Sequence, residues 1–498
     1  MQKLSYETLK NIQYDGYILK DAPERILQFG EGNFLRGFVD YFVDVMNEKA
    51  GFNSKVVLCQ PIAQGLSDAI NEQNGLYTLY LRGFENGQKI NSKRVISCVS
   101  RCINPYADFS ALLECAKNPN LRFITCNTTE AGITFDASCK FTDTPASSYP
   151  GKLTQFLYER FKYFGSIKGK GFIILSCELI DNNGKELEKC VLEYASLWHL
   201  EHDFITWIKQ ENIFCSTLVD RIVTGYPAKE AANLCEENSY LDTLIDTGEI
   251  FGFWVIEGPE SLKNELPFEK AKLPVLITDN HKPYKQRKVR ILNGAHTSMV
   301  LGAYLAGKDI VRDCMEDTVI LRFMNKTIYE EIIPTLTLPK EELEGFAASV
   351  TERFKNPFID HALLAISLNS TSKWKARVLP SLKGYVEKYD KIPSCITASF
   401  AFYIAFYRGQ ERCEDGLMAI RPKGDPYTIK DDADILDFYF SHKEDDTKTL
   451  AHAVCSHIDF WGEDLCQIPG FEETVAFYLE QIETKGTYAV MQELCKLL

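Results

Sequence analysis

The sequence predicts an α/β protein in which an N-terminal doubly wound domain is followed by a mainly α-helical C-terminal domain. In the first half, short apolar runs alternate with helical stretches, and such continuous runs are typical of strands buried in a parallel sheet. After about residue 280 helical periodicity replaces them, and no further strand is expected. The length of 498 residues suits two or three domains. The predicted domains span residues 1–280 and 281–498.

Individual elements follow from the same periodicities. Buried strands are predicted at residues 26–29, 55–59, 123–126 and 172–176. A β-hairpin inserted into that sheet is predicted from residues 77–82 and 93–98. The helices of the C-terminal half are predicted at residues 285–306, 317–333, 393–407, 432–441 and 472–484.

A glycine turn follows the first predicted strand. Gly30 and Gly32 lie between that strand and the amphipathic stretch 34–47. A strand, Gly-x-Gly and a helix form the order of a dinucleotide site, because glycine lets the backbone approach a pyrophosphate and the helix N-terminus offers free N–H groups. The third glycine of the usual fingerprint is missing, since Leu35 stands there, so tight strand–helix packing is an equal alternative. Arg36 is either a phosphate contact or a solvated residue. The turn predicts a Rossmann-like domain.

Lys288, Asn293 and His296 form a Lys-x4-Asn-x2-His pattern within the predicted helix 285–306. At about 100° per residue, their side chains fall within an arc of about 140°. Ketone reduction needs an acid for the forming alkoxide, a dipole that polarises the carbonyl and a group that holds a neighbouring hydroxyl. These three residues could supply them. The spacing alone also fits a solvated lysine, an N-cap-like asparagine and a histidine at the edge of the core.

Together the two motifs resemble those of the polyol-specific long-chain dehydrogenases, the mannitol dehydrogenase family. The cofactor turn of that family, Gly-x-Gly-x-Phe-x-Arg, matches residues 30–36, and its catalytic set matches Lys288, Asn293 and His296. Other segments are most similar to the branch that interconverts D-tagaturonate and D-altronate. These segments are residues 73–78, 127–132, 176–184, 219–222 and 356–361.

The resemblance implies an NAD-dependent, metal-independent secondary-alcohol dehydrogenase. Its expected reaction is hydride transfer between NADH and the keto group of D-tagaturonate, in hexuronate catabolism. The alternatives within the family are the reduction of D-fructuronate and mannitol 2-dehydrogenase activity. An alternative of another class is a non-catalytic protein that senses NADH.

The resemblance also implies roles for individual residues. Lys288 would be the general acid, and Asn293 would donate to the carbonyl oxygen. Asn183 would be the second donor to that oxygen, with Asn182 as the alternative. His296 would hold a substrate hydroxyl. Because lysine and amides supply this chemistry, no metal is implied.

The residue after the second predicted strand bears on the choice of cofactor. Proteins that read the adenosine ribose usually place an acidic residue there for NAD, or a basic residue there for the 2′-phosphate of NADP. Gln60 can hydrogen-bond a 2′-hydroxyl, and no lysine or arginine follows before Arg82, which favours NAD. The cofactor contacts implied by the resemblance are Gly30, Gly32, Asn33, Phe34, Arg36, Gln60, Thr128, Thr129 and Glu130. As an isolated pattern, the last three could equally cap a helix.

A basic segment, residues 371–377, carries the candidates for substrate binding. It places three basic residues within five positions, and the family places this region near the substrate. A uronate carries a carboxylate that mannitol and fructose lack. Lys373 is the candidate for binding the carboxylate or a terminal hydroxyl, and Arg377 accompanies it. A solvated basic face is an equal alternative.

Composition limits the partners. A net charge of −14 argues against nucleic acid and anionic membranes. No run approaches the about 18 apolar residues of a membrane span, and the first 14 residues lack the apolar core of a signal peptide. A cytoplasmic enzyme with a sugar-acid substrate is therefore expected, and the resemblance suggests a monomer or a loose homodimer. The 16 cysteines are expected to be reduced thiols without a zinc-type cluster.

Overall fold

The chain divides into two compact units, Met1–His281 and Lys282–Leu498. The computed structural model describes residues 1–85, 87–128, 131–165 and 167–496. The first unit is α/β and the second is mainly helical, which confirms the predicted fold class. Within the described residues, no helix has both the length and the apolar character that crossing a membrane requires.

An eight-stranded sheet forms the centre of the first unit. Six of its strands run parallel in the spatial order 3-2-1-4-5-6, which is the order of a Rossmann sheet. In chain order they are β1 (Glu24–Phe29), β2 (Lys55–Cys59), β5 (Val99–Ile103), β6 (Phe123–Cys126), β7 (Ile173–Ser176) and β8 (Ile213–Asp220). Two further strands extend the β8 edge, β10 (Phe253–Glu257), which is antiparallel to β8, and β11 (Val275–Thr278).

Both faces of this sheet are covered, because its strands are apolar on both sides. The successive residues Ile26 and Leu27 of β1 belong to two different buried clusters. The helical segment that begins at Asn33 packs into the first cluster, and helix Tyr149–Phe164 packs into the second. The predicted strands at residues 26–29, 55–59, 123–126 and 172–176 are therefore confirmed as buried parallel strands.

The predicted hairpin exists, but it does not join the parallel sheet. β3 (Tyr77–Glu85) and β4 (Gln88–Ile96) pair antiparallel, and β9 (Asp246–Glu249) pairs parallel with β3. These three strands form a separate sheet in the order β4-β3-β9. The prediction was wrong on this point because the partner strand lies about 160 residues further along the chain, where local periodicity gives no sign of the pairing.

The helices of the first unit connect these strands. One continuous helical segment consists of Asn33–Leu35, a π-helical turn at Arg36–Asp40, and Tyr41–Ala50. The remaining helices are Tyr6–Asn11, Ser67–Glu72, Phe109–Ala116, Tyr149–Phe164, Asn183–Leu197, His202–Glu211, Ala231–Asn238 and Leu262–Glu265.

The second unit begins with the helical segment that carries the Lys-x4-Asn-x2-His pattern. It consists of Lys282–Arg287, a π-helical stretch at Lys288–Asn293, and Gly294–Leu305. The other α-helices are Val311–Glu316, Thr318–Lys326, Lys340–Phe354, Leu363–Ile366, Ser370–Arg377, Leu379–Tyr389, Ser394–Tyr407, Ala433–Ser441, Thr447–Cys455, Ile458–Trp461, Phe471–Lys485 and Thr487–Leu494. A further π-helical stretch is Thr327–Ile332, and two 3₁₀ turns are Ile333–Thr335 and Leu465–Gln467. All five helices predicted for this half are confirmed within a few residues.

The expectation that no strand follows residue 280 was wrong. β12 (Glu411–Cys413), β13 (Gly416–Ile420) and β14 (Pro426–Ile429) form a small antiparallel meander within the second unit. Each strand is at most five residues long, which is too short for a clear period-2 pattern.

Candidate active site

The glycine turn lies at the carboxyl edge of the parallel sheet. Phe29, the last residue of β1, pairs in register with Cys59 of β2 on one side and Cys126 of β6 on the other. Gly30 has φ +126, and a Cβ there would lie 2.9 Å from a methyl carbon of Leu35, so the turn requires glycine. A Cβ on Gly32 would meet nothing within 4 Å, so its backbone faces open space. The turn can therefore accept a ligand that comes close to the main chain.

Arg36 has neither of the two roles expected for it. Its side chain is only 2% exposed, and its guanidinium donates to the carbonyl oxygens of Glu31 and Leu244 and to Oδ1 of Asn33. A guanidinium held by three protein acceptors in a buried position braces the glycine turn against the segment before β9. It is not placed to contact a phosphate.

Gln60 is also turned inward, away from the role predicted for it. Its Nε2 donates to the carbonyl oxygens of Ile62 and Ala63, and its Oε1 accepts from the Ser67 amide. The side chain is 1% exposed. Gln60 therefore shapes the loop after β2 from inside and does not offer its amide to a ribose hydroxyl.

Thr128 lies beyond the end of β6 and is anchored by the neighbouring strand. Its backbone N–H and its hydroxyl both donate to Oε1 of Glu178, which follows β7. Burial raises the pKa of Glu178 above its ordinary value. Thr129 and Glu130, the other two predicted contacts of this loop, lie outside the described residues.

The Asn183 amide is fully engaged within the first unit. Its Nδ2 donates to the carbonyl oxygens of Glu178 and Thr217, and its Oδ1 accepts from the backbone amides of Gly184 and Thr217. These bonds tie the start of helix Asn183–Leu197 to β8, and they leave no N–H of this side chain for a substrate oxygen. Asn182, the alternative donor, is half-buried and adopts the left-handed conformation with φ 52.

In the second unit, the Lys-x4-Asn-x2-His pattern does not lie on a regular α-helix. Lys288 and Asn293 are the first and last residues of the π-helical stretch, and the Gly294 N–H donates to the Val289 carbonyl, five residues back. This wider turn brings residues five apart onto the same side, so Lys288 and Asn293 are closer in direction than α-helical spacing predicts. Both side chains are half-buried.

Helix Ser370–Arg377, which carries the basic segment, packs directly on this stretch. A Cβ on Gly294 would lie 3.4 Å from the Arg377 carbonyl oxygen. The Arg377 guanidinium lies 3.5 Å from the hydroxyl of Thr297, the residue after His296. The structure therefore brings the predicted substrate-binding helix next to the predicted catalytic residues.

His296 lies between aromatic and basic side chains. The Phe354 ring stacks on the imidazole with a centroid distance of 3.9 Å and an interplanar angle of 7°, and His361 meets it edge-on at 5.4 Å. The Nε2 atom of His296 is buried and has no hydrogen-bond partner among the described residues. A buried imidazole nitrogen without a protein partner is a candidate to bind a ligand hydroxyl.

Four basic side chains surround this imidazole, and we call them the basic cluster. Its members are Arg353, His361, Lys373 and Arg377. Burial lowers the pKa of His296 well below its ordinary value, and the cluster lowers it further, so the imidazole is neutral near pH 7. Burial also lowers the pKa of Lys373 and of Arg377, and Arg377 contributes to the shift on Lys373.

The ammonium of Lys373 donates to the Ile366 carbonyl at 2.9 Å. Asp431 acts on Lys373 in the opposite direction, but its carboxylate accepts hydrogen bonds from Thr371 and from the Tyr407 hydroxyl. Positive charge therefore accumulates beside His296 in a chain that is acidic overall.

Two members of the basic cluster were missed by the sequence reasoning. Arg353 lies in the last turn of helix Lys340–Phe354, and His361 follows that helix in the segment 356–361. That segment supported the family resemblance, but no role was assigned to it. A pattern of one arginine and one histidine eight residues apart carries no chemical signal until the helix packs against His296.

Comparison with known proteins identifies the family. The profile of the mannitol dehydrogenase Rossmann domain matches residues 24–270, and that of the mannitol dehydrogenase C-terminal domain matches residues 280–483. The chain belongs to the mannitol dehydrogenase family. It is 47% identical over 480 residues to the altronate oxidoreductases of Escherichia coli O7:K1 and Shigella flexneri, and these alignments cover 95% of this chain and 97% of each relative.

Two solved dehydrogenase structures have the same fold. A D-sorbitol dehydrogenase in substrate-free form aligns with a TM-score of 0.81 at 24% identity, covering 98% of this chain and all of that one. The mannitol 2-dehydrogenase of Pseudomonas fluorescens, in a ternary complex with NAD and D-mannitol, aligns with a TM-score of 0.70 at 21% identity over the full length of both chains. The predicted family and the oxidoreductase class are confirmed.

Proposed function

We propose that this protein is an NAD-dependent tagaturonate reductase, which interconverts D-tagaturonate and D-altronate as the altronate oxidoreductases of its family do. The observation that carries this proposal is the basic cluster beside His296. The altronate oxidoreductases that are 47% identical to this chain over nearly its whole length support the same substrate.

The basic cluster favours a substrate that carries a carboxylate. Holding Lys373 and Arg377 together and partly out of water disfavours their charged forms, as the lowered pKa of each indicates. A carboxylate placed between them offsets the repulsion between the two positive charges and forms charge-assisted hydrogen bonds with both side chains. Mannitol and fructose have no such group, so a neutral polyol would bring no counter-charge of its own to these cations. We therefore assign Lys373 and Arg377 to the substrate carboxylate.

The reactive groups for the ketone come from the π-helical stretch. Bound NADH supplies the hydride that is added to the keto carbon. We assign Lys288 as the general acid that gives its proton to the oxygen of this carbon, and as the base that removes it in the reverse direction. The Asn293 amide donates to the same oxygen and stabilises its developing negative charge. The ketone thus gains a hydride on carbon and a proton on oxygen and becomes a secondary alcohol.

We assign His296 to a hydroxyl next to the reacting carbon. Because its pKa is lowered, the ring is neutral and can accept a hydrogen bond from a hydroxyl at one nitrogen. The stacked Phe354 ring holds the plane of the imidazole. Of the two asparagines predicted as a second oxygen donor, Asn182 is the one we retain, since the Asn183 amide is occupied by backbone groups.

For the cofactor, we propose that the glycine turn and the start of the helical segment hold the pyrophosphate. Gly30 and Gly32 leave room for it, and the residues that follow, Asn33 and Phe34, provide the first N–H groups of the helix. Thr128 would line the same edge. Gln60 and Arg36 would act indirectly, by holding the loops in shape. The loop of residues 61–66 contains no lysine or arginine, which still favours NAD over NADP.

We further propose that residues 1–280 bind NAD and that residues 281–498 bind and convert the substrate. All 16 cysteines are free thiols, which is consistent with the reducing conditions of a cytoplasm. We expect the enzyme to work in the cytoplasm, as a monomer or a loose homodimer.

The direct test is NADH oxidation, followed by its absorbance, with D-tagaturonate, D-fructuronate and D-fructose side by side and with NADPH as a control. The proposal expects the highest kcat/KM for D-tagaturonate with NADH. A preference for D-fructuronate would change only the epimer, whereas a preference for D-fructose would contradict the role of the basic cluster. NADH binding without turnover of any of the three would favour a sensor.

A further inference from the structure

Three side chains of different chemistry meet at the surface of the second unit, in segments that the proposed reaction does not use. His452 lies in helix Thr447–Cys455, Cys466 in the 3₁₀ turn Leu465–Gln467, and Glu472 in the first turn of helix Phe471–Lys485. One ligand atom from each, an imidazole nitrogen, a thiol sulfur and a carboxylate oxygen, lies within 4.8 Å of the other two. These are the three ligand types that Zn²⁺ takes in proteins.

We propose that His452, Cys466 and Glu472 bind a zinc-class divalent cation, with water at the fourth position. This proposal is independent of the proposed function. We call the three residues the His–Cys–Glu site.

The distances fit such an ion without rearrangement of the backbone. Nδ1 of His452 lies 3.0 Å from Oε1 of Glu472 and 3.9 Å from Sγ of Cys466. Ligand atoms about 2.0–2.3 Å from a tetrahedral zinc lie about 3.4–3.6 Å from one another. These two separations bracket this range, and the third, between the thiol sulfur and the carboxylate oxygen, is at most 4.8 Å, so side-chain movements of about one ångström would complete the coordination.

The surroundings orient the thiol and attract a cation. Oδ1 of Asp464 accepts the backbone N–H of Cys466, and its Oδ2 accepts from Gln467, which fixes the turn that presents the sulfur. The carboxylates of Asp464 and Glu472 face Cys466. A second layer of this kind holds metal ligands in place in known sites.

A bound ion would cross-link helix Thr447–Cys455, helix Phe471–Lys485 and the 3₁₀ turn Leu465–Gln467, which lies in the connection between the two helices. The cation takes the place of the Cys466 thiol proton, which leaves to the solvent, and no oxidation state changes. The connection, residues 456–470, also contains Trp461. The ring of Trp461 packs edge-on against that of Trp374, in helix Ser370–Arg377, with a centroid distance of 5.8 Å. An occupied site would therefore fix the segment that supports this tryptophan pair.

Cobalt titration of the chelator-treated protein tests the proposal, because a thiolate bound to Co²⁺ gives a charge-transfer band and tetrahedral Co²⁺ gives strong d–d absorption. We expect one equivalent of Co²⁺ to produce both and Zn²⁺ to displace it, with a higher midpoint of thermal unfolding on binding. Cys466→Ser should abolish the charge-transfer band. His452→Ala should weaken binding by at least about tenfold, since a ligand is lost.

Two variants serve as matched controls. His442→Ala removes a histidine that also contacts a carboxylate, that of Asp445 at 2.7 Å, but that belongs to no such three-ligand group among the residues that the structure describes. Cys413→Ser removes the exposed cysteine. Both should bind Co²⁺ as the unchanged protein does.

Three results would overturn the proposal. They are no charge-transfer band in the unchanged protein, a band that survives in Cys466→Ser, and equal loss of affinity in His442→Ala and His452→Ala. His452 is largely exposed, so its replacement leaves folding intact and a negative result from that variant is informative. NADH oxidation by each variant reports separately on the dehydrogenase.

Discussion

Replacing Arg377 by methionine removes one charge from the basic cluster and keeps most of the side-chain length. The guanidinium lies 3.5 Å from the Thr297 hydroxyl, at the outer limit of a hydrogen bond, so its loss costs the fold little. A hydrogen bond between charged groups contributes about 1.5–3 kcal/mol. At about 1.4 kcal/mol per tenfold change, kcat/KM for D-tagaturonate should fall by about 10- to 150-fold. The pKa of His296 should rise towards its ordinary value, because one of its positive neighbours is gone.

The assay compares two ligands that differ in the carboxylate. The inhibition constant of D-altronate should rise by the same factor as kcat/KM falls, whereas that of D-altritol, a neutral polyol, should stay nearly constant. Lys375→Met is the matched control, since it removes one charge from the same helix at a side chain that lies beside Gly462. Its effect should stay within about twofold, as for other surface changes.

Equal losses in Arg377→Met and Lys375→Met would refute the reasoning, because they would show a response to net charge and not to a contact. Weakening of D-altritol as much as D-altronate would refute it as well, since the damage would then lie outside carboxylate recognition. Thermal unfolding of both variants excludes a loss of fold as the cause.

Further predictions concern Lys288 as the proposed general acid, the hydrogen bonds of Arg36 and the buried carboxyl group of Asp246. Lys288→Ala should still fold and bind NADH but lose about 10²–10⁴-fold in kcat; near-normal turnover would remove lysine from the mechanism. Arg36→Met leaves two buried carbonyl oxygens, those of Glu31 and Leu244, without their donor, so urea unfolding should show a loss of about 2 kcal/mol or more, and an unchanged midpoint would argue against this bracing role. Burial raises the pKa of Asp246 from 3.8 to about 7, so the folded protein holds this proton more tightly than the unfolded chain and loses stability as the pH rises through that range. Asp246→Asn should therefore be more stable than the unchanged protein at about pH 8, and the difference in unfolding free energy between the two proteins should be smaller at about pH 5. An equal difference at both pH values would contradict the raised pKa.

Much of the fold could be predicted from the sequence because its signals are local. The strand before Gly30 and the helix after it are specified by periodicity and by a turn that needs glycine, and both are found as expected. The pattern of Lys288, Asn293 and His296 is local in the same sense, since three residues within nine positions of one helix must share a neighbourhood. Family membership could be recognised from these motifs for the same reason.

The orientation of polar side chains was decided by the tertiary structure. Arg36 donates to a carbonyl 208 positions further along the chain, and Asn183 bonds to the backbone of Thr217 on a neighbouring strand. A buried polar group takes whichever partner the fold brings to it, and the sequence around Arg36 or Asn183 does not reveal that partner. Both were therefore predicted to face a ligand, and both hold the scaffold.

Contacts between distant segments also explain the two groups of residues that only the folded chain reveals. Arg353 and His361 acquire meaning because their segment packs against His296, and His452, Cys466 and Glu472 converge from three separate elements. The sequence by itself determined the order of strands and helices, the glycine turn and the triplet of Lys288, Asn293 and His296, because each depends on neighbours along the chain. Which charges gather around that triplet, and which side chains turn away from it, depends on contacts between distant segments, and packing alone sets those.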